Sequence, residues 1–281
     1  MSLMGNEKIK YKGQEIIENL DSILTRDHFH FELKGLTKST RDVVNEVVQR
    51  ILDKIGANPL TSFHLFSGLM EALLNAVKGN TRFVIFKDEL LSKLQSSGQT
   101  PEQEAEELLD TILETEPLRD AMQRYIVPDK IKKNVQKILT LQDKKRTKKI
   151  NLSPQDQEFL ELVREKSKKY NLKISMKIEI RETELYIRIR NDSPIMGMDL
   201  SRIQKSRQLH AELAKEGKSA EFFRPDFLDE KESAGFGIAM VDEGFYNLGL
   251  DPLECFSIQT SKHATSVYLS YPIEALQKME F

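Results

Sequence analysis

The chain has a single cysteine, Cys255, so no disulfide framework can form; it sits in an apolar, strand-like pattern, and this composition fits a reducing cytoplasm. No apolar run approaches the roughly 20 residues of a membrane-spanning helix, and the opening Met-Ser-Leu-Met-Gly-Asn-Glu lacks the hydrophobic stretch of a signal peptide. Neither sign of charge dominates: 42 Lys and Arg against 44 Asp and Glu leave a net charge of −2, so no whole-chain field points to nucleic acid. His64, His210 and His263 have no metal-ligand spacing. What remains is a 281-residue chain, 39% apolar and 31% charged, long enough for a substantial buried core.

The most informative stretch is Glu71-Ala-Leu-Leu-Asn75-Ala-Val-Lys78. Intervals of four and then three residues put Glu71, Asn75 and Lys78 on one face of one helix. The residues between them are apolar and suit a packed interior. A carboxylate can orient or deprotonate water, an amide oxygen can bind a hard cation, and an ammonium can neutralise phosphate.

The surrounding pattern alternates between periods of two and of about 3.6. Residues 1–27 are polar with one modest apolar pattern, read as a short helical extension. His28-Phe-His-Phe-Glu-Leu is a strand, which argues against His30 as a phosphoacceptor. Helices follow from Thr37 to Ile55 and from Ser62 to Lys78, broken at Asn58-Pro59. Thr81 to Phe86 reads as a short strand. Helical patterns then begin at Thr100-Pro101 and at Ser153-Pro154, where proline suits a first turn. Between them, Lys130 to Lys149 is rich in Lys and Arg without interleaved aromatics, so base stacking gains no support. A strand pair, Leu172 to Arg181 and Leu185 to Arg190, runs into Asn191-Asp192-Ser193-Pro194-Ile195. A helical pattern at Asp199 to Lys215 precedes Gly235-Phe-Gly237, where a tight glycine turn is expected to lead into a helix from Ile238 to Leu248. Two final strands hold Cys255 to Thr260 and Thr265 to Pro272.

In this order the segments resemble the ATP-binding domain of the GHKL superfamily, which includes gyrase, histidine kinases and MutL. The opening strand, helix and helix are similar to the anti-sigma-factor serine kinases. The resemblance spans about residues 29 to 273. Glu71 to Lys78 looks like the family's N box, Asn191 to Ile195 like its first glycine box, Gly235-Phe-Gly237 like its second, and Thr265 falls where a threonine often lies near the nucleotide. It implies an α/β fold, a two-layer α/β sandwich of histidine-kinase-like ATPase type, with a mixed sheet and helices on one face. A helical insertion would occupy about 88–170 and a lid over the phosphates about 196–233, within an ATP-binding domain at 28–281. It implies ATP and Mg²⁺ as cofactors, Glu71 as the catalytic residue acting on water, Asn75 as metal ligand and Lys78 near phosphate, with Asn80 as a looser candidate. Gly235 and Gly237 would leave helix N–H groups free for phosphate. Lys205, Arg207 and Lys218 would offer charge from the lid.

The first glycine box departs from the family's Asp-x-Gly-x-Gly. Asn191 stands at the aspartate, Ser193 and Ile195 at the glycines, and Asp192 could substitute if the register slips. Asparagine offers adenine a carbonyl oxygen without charge, a hydrogen bond weaker by about a factor of two. Three functions therefore stand open. One is an ATP- and Mg-binding domain in signal transduction that phosphorylates a protein. Another is a degenerate module acting through protein–protein contacts, and the third an ATP-gated switch without kinase activity. The expected partners are an adenine nucleotide and a protein partner or phosphoacceptor, with room for a homodimer; membrane and nucleic acid are not expected.

Overall fold

The computed structural model describes residues 14–23, 25, 27–33, 35–98, 101–114, 133–134, 136–138, 140–141, 152–195, 197–224 and 234–278. The expectations for the lysine-rich stretch 130–149 and for the last part of the lid, 225–233, fall largely or wholly outside them. Five strands form one antiparallel sheet: β1 (His28–Leu33), β2 (Ile174–Ile180), β3 (Glu184–Asn191), β4 (Phe256–Thr260) and β5 (Thr265–Pro272), in the order β1-β2-β3-β5-β4. The helices with defined bounds among the described residues are α1 (Gln14–Glu18), α2 (Leu20–Ile23), α3 (Lys38–Lys54), α4 (Pro59–Gly98), α5 (Glu102–Glu114), α6 (Pro154–Lys169), α7 (Gly197–Lys215), α8 (Ala234–Tyr246), α9 (Pro252–Cys255) and α10 (Ile273–Gln277). Among the described residues no helix is long and apolar enough to cross a membrane.

The fold class is α/β, but the expected mixed sheet is corrected: every ladder is antiparallel. The reason is topological. β1 runs the same way as β3, and β3 the same way as β4, but β2 and β5 lie between them, so strands of like direction never become neighbours.

Alternation along the strands sends one set of side chains to the helices. Ile174, Met176 and Ile178 of β2, Leu185, Ile187 and Ile189 of β3, and Val267, Leu269 and Tyr271 of β5 meet Val44, Val47, Val48, Ile51 and Leu52 of α3, Leu65, Leu69, Leu73 and Ala76 of α4, and Ile238, Val241 and Phe245 of α8. Each fully buried Leu or Ile contributes about 1.5–3 kcal/mol relative to exposure. Phe245 stacks on Tyr271 with ring centroids 4.6 Å apart, and Gly68 leaves room for the Tyr271 hydroxyl. Thr37 caps α3 by accepting from the Thr40 N–H at 3.2 Å. Asn58 opens α4 and is tied to α10, its N–H donating to the Leu276 carbonyl at 2.8 Å.

The expected strand at Thr81 to Phe86 is a second correction. These residues continue α4, which runs for 40 residues. Thr81 donates to the Val77 carbonyl one turn back, at 2.9 Å, and Thr81, Val84 and Leu91 are buried at helical spacing. β-Branched and aromatic composition yields here to tertiary packing. The far half of α4 carries the helical insertion: Leu91 packs with Ala105 and Leu109 of α5, and Asp88 pairs with Lys166 of α6 at 2.6 Å.

Helix α7 is fastened to α8 by a buried ion pair. Arg207 donates to both carboxylate oxygens of Asp242 at 2.8–3.1 Å and to the Pro252 carbonyl at 2.9 Å, with its guanidinium 4.2 Å from the Phe256 ring centroid. A second tie lies one turn on. His210, with no exposed surface, rests against Phe222 (centroids 4.7 Å apart), and its Nε2 lies 3.0 Å from Ser219 Oγ and 3.2 Å from Glu243 Oε2.

Burial holds the Asp242 carboxyl above its usual range, while the Arg207 guanidinium opposes that rise. A raised acid keeps its proton longer in the folded state, so this group's contribution to stability falls as pH climbs through the interval between the unfolded and folded values. Arg207→Met leaves an uncompensated buried carboxylate and is expected to cost about 3–5 kcal/mol at neutral pH. Part of the loss returns in mild acid, where Asp242 is protonated. Urea denaturation of both proteins at two pH values checks it; a pH-independent deficit contradicts it.

Candidate functional site

Helix α4 brings the sequence motifs to one line. On its polar stripe, Lys78 Nζ lies 3.7 Å from Glu71 Oε1, and the two side chains keep 28% and 19% of their surface exposed. Between them Asn75 is half-buried, and its amide makes no hydrogen bond to another described residue. The stripe is thus a carboxylate, a free amide and an ammonium within two turns, as the spacing predicts.

The second glycine motif meets this stripe, by a route different from the one expected. Gly235 and Gly237 do not precede a helix; they lie in the first turn of α8. What Gly237 provides is close approach. A Cβ there would lie 2.9 Å from Glu71 Cγ and would overlap the carboxylate itself. Glycine in a helix costs about 1 kcal/mol relative to alanine, and at position 237 it lets the start of α8 sit directly on Glu71. The N–H groups of a first helical turn have no partners within the helix, so this contact sets α8's positive end beside the stripe.

The first glycine motif meets α4 further along. Asn191, the last residue of β3, faces Thr265 at the start of β5 in the ladder register. It is buried, and its Nδ2 donates to Ser193 Oγ at 2.6 Å, to the Ser193 carbonyl at 3.2 Å and to Asn80 Oδ1 at 3.3 Å. All three are acceptors, which fixes the amide's orientation and turns its carbonyl oxygen away from this cluster. Thr265 Oγ1 donates to the Ser193 carbonyl at 2.8 Å, and the Ile195 N–H donates to Thr260 Oγ1 at 2.9 Å. The loop after β3 is thereby pinned to the closing hairpin. Asp192 points elsewhere: it accepts from the Lys173 N–H at 3.0 Å and pairs with Arg190 at 3.0 Å.

Gly79 was not singled out by the sequence reading, though a glycine inside a helical pattern is the signal that could have found it. A Cβ at this position would lie 3.1 Å from Asn191 Nδ2 and 3.2 Å from Ser193 Oγ. Ser193, which stands where the resembled motif has a glycine, turns its hydroxyl inward, against a glycine of α4. Of the cations expected over the phosphates, Arg207 is committed to Asp242 and Lys218 pairs with Glu216 at 2.8 Å.

Near the stripe, a hollow of about 290 Å³ is lined by Phe63, Phe66, Met70, Leu74 and Met240 with Glu71 at its edge. Its walls are mostly apolar; Ser67 adds a single hydroxyl, and no cation lines it. No cluster of three or more His, Cys, Asp or Glu that could cage a metal occurs among the described residues. A hard cation here would be held by Asn75 together with ligand oxygens and water, which suits Mg²⁺. No protein-family model, curated protein or solved structure matches this chain.

Gly237→Ala should destabilise the fold by about 1–3 kcal/mol, the usual cost of overpacking. In a Glu71→Ala background the same change should be nearly neutral, because the clashing side chain is gone. A double-mutant cycle by chemical denaturation measures the coupling; equal costs in both backgrounds would mean that Glu71 is not what Gly237 accommodates.

Proposed function

We propose that this chain is an ATP- and Mg-binding domain of histidine-kinase-like, GHKL type, working in signal transduction with a protein as partner or phosphoacceptor. The observation that carries the reading is the convergence of three separated motifs on one helix. Asn191 and Ser193 meet α4 at Gly79 and Asn80, with Thr265 bonded to the Ser193 carbonyl; Asn75 and Lys78 occupy the middle of α4, and Glu71 lies under the first turn of α8. From Glu71 to Asn80 the helix rises about 14 Å, comparable with an extended nucleoside triphosphate. Adenine would lie at Asn191, whose carbonyl oxygen can accept from its amino group. The phosphates would lie along Lys78 and the start of α8, and Asn75 would give Mg²⁺ its one protein ligand. Mg²⁺ would supply neutralisation of phosphate charge. In phosphoryl transfer, positioning and charge neutralisation do most of the work, and Glu71 would orient a water or hydroxyl.

The tight packing at Asn191 favours a second reading. Asn191 is 5% exposed and Ser193 1% exposed, and α4 presses on both at Gly79. A degenerate module that has closed its adenine end and acts through protein contacts fits that packing.

Titration calorimetry with ATP separates the two. The nucleotide reading expects Mg-dependent binding in the micromolar-to-millimolar range, roughly −8 to −4 kcal/mol. Asn75→Ala should remove the Mg²⁺ dependence, and Asn191→Ala should remove any preference for ATP over GTP. No heat and no thermal stabilisation at millimolar nucleotide would establish the closed, nucleotide-free module instead.

A further inference from the structure

The sheet has a second face, and its chemistry differs from that of the core. Across its middle the ladder register lines up His30, Lys177, Arg188, Tyr268 and Ser257, one residue per strand. Tyr186 and Glu179 occupy the next row on the same side. Tyr186 and Tyr268 lie 6.2 Å apart between ring centroids, and the Arg181 guanidinium sits 3.8 Å above the Tyr186 ring.

Most cations on this face have a carboxylate. Lys177 pairs with Glu179, Arg181 with Glu179 and Glu184, and Arg190 with Asp192. Arg188 has no carboxylate among the described residues, and its Nε, shielded from water, donates to nothing. Its direct neighbour across the ladder is Lys177, a like charge. An unpaired shielded donor costs about 1–3 kcal/mol. The isolated fold thus carries, at the centre of an aromatic face, a cation that an added anion would satisfy.

We propose that this outer face docks an acidic segment of a protein partner, with a partner carboxylate taken by Arg188 between Tyr186 and Tyr268. The guanidinium's planar fork fits a carboxylate with two parallel hydrogen bonds. Tyrosine and arginine are the residues enriched at interface centres. The charge count selects protein over nucleic acid. A polyanionic strand is held by many unpaired cations at once, whereas here, among the described residues, the neighbouring lysine and arginines are already neutralised and one guanidinium is left. A second copy docked through the same patch about a two-fold axis would bring each cationic row toward its own equivalent.

Fluorescence anisotropy with a labelled oligo-glutamate peptide tests this on the full chain, beside an oligo-thymidylate of equal charge and sedimentation of the protein alone. The expected result is salt-sensitive peptide binding, weakened about tenfold or more by Arg188→Gln, about 1.4 kcal/mol, and less by Arg188→Lys, which keeps charge and loses the fork. Arg188→Gln should also raise the melting temperature, a sign that a merely structural arginine would not give. The proposal is overturned if peptide binding survives Arg188→Gln unchanged. It is likewise overturned if oligo-thymidylate binds more tightly with the same dependence on Arg188, or if the chain is a dimer that Arg188→Gln dissociates. Should Arg188→Gln prove unfolded, Arg188→Lys decides: unaltered peptide affinity in that variant also overturns it.

Discussion

The closeness of α4 to its neighbours is the constraint on which this structure turns. Helices with ordinary side chains at the crossing keep their axes 8–10 Å apart. At Gly237 and Gly79 the missing side chains let α8 sit on the Glu71 carboxylate and let the loop after β3 close on α4. Both glycines lie inside helices, where they are costly, and both contacts involve residues of the candidate site. Without them the polar stripe would still exist on α4, but the helix start and the β3–β5 end would stand further from it.

The strands and their apolar faces were largely legible in the chain. Alternation marked β1, β2, β3 and β5 because one face of each is apolar and packed. The stripe Glu71, Asn75 and Lys78 was legible for the same reason at helical period. Thr81 to Phe86 misled because β-branched and aromatic residues suit either state, and only the burial of Val84 and Leu91 on the helix's own spacing decides it. The mixed sheet was carried in by family resemblance; the chain itself gives no sign of which strands become neighbours. The role of Gly237 was half legible: glycine signalled something unusual, but a turn and a close contact look alike in one dimension. Ser193 was legible only as a departure from a glycine of the resembled motif; its inward hydroxyl depends on Gly79, more than a hundred residues earlier.

The segment between β3 and α8 combines two kinds of attachment. Arg207 and Asp242 form a desolvated ion pair whose partners are each costly alone. His210 is held by a hydroxyl and a carboxylate among aromatic rings, with its Nδ1 left unpaired. Helix α7 is therefore positioned by polar groups rather than by a wide apolar seam. The carboxylates of Asp242 and Glu243 both lie on α8, the helix that begins at the stripe. Any shift of α8 along its axis displaces both attachments together.

Helix α4 has a mechanical consequence. It is one uninterrupted element of 40 residues, about 60 Å long, with the polar stripe near one end of the sheet and α5 and α6 mounted on its far half. From Glu71 to Gly98 it extends about 40 Å. A rotation of about 5° about the Glu71 end would carry the far end by about 3–4 Å. Were α4 to pivot there, ångström-scale adjustments where Gly237 meets Glu71 would become displacements of the whole helical layer on its far half.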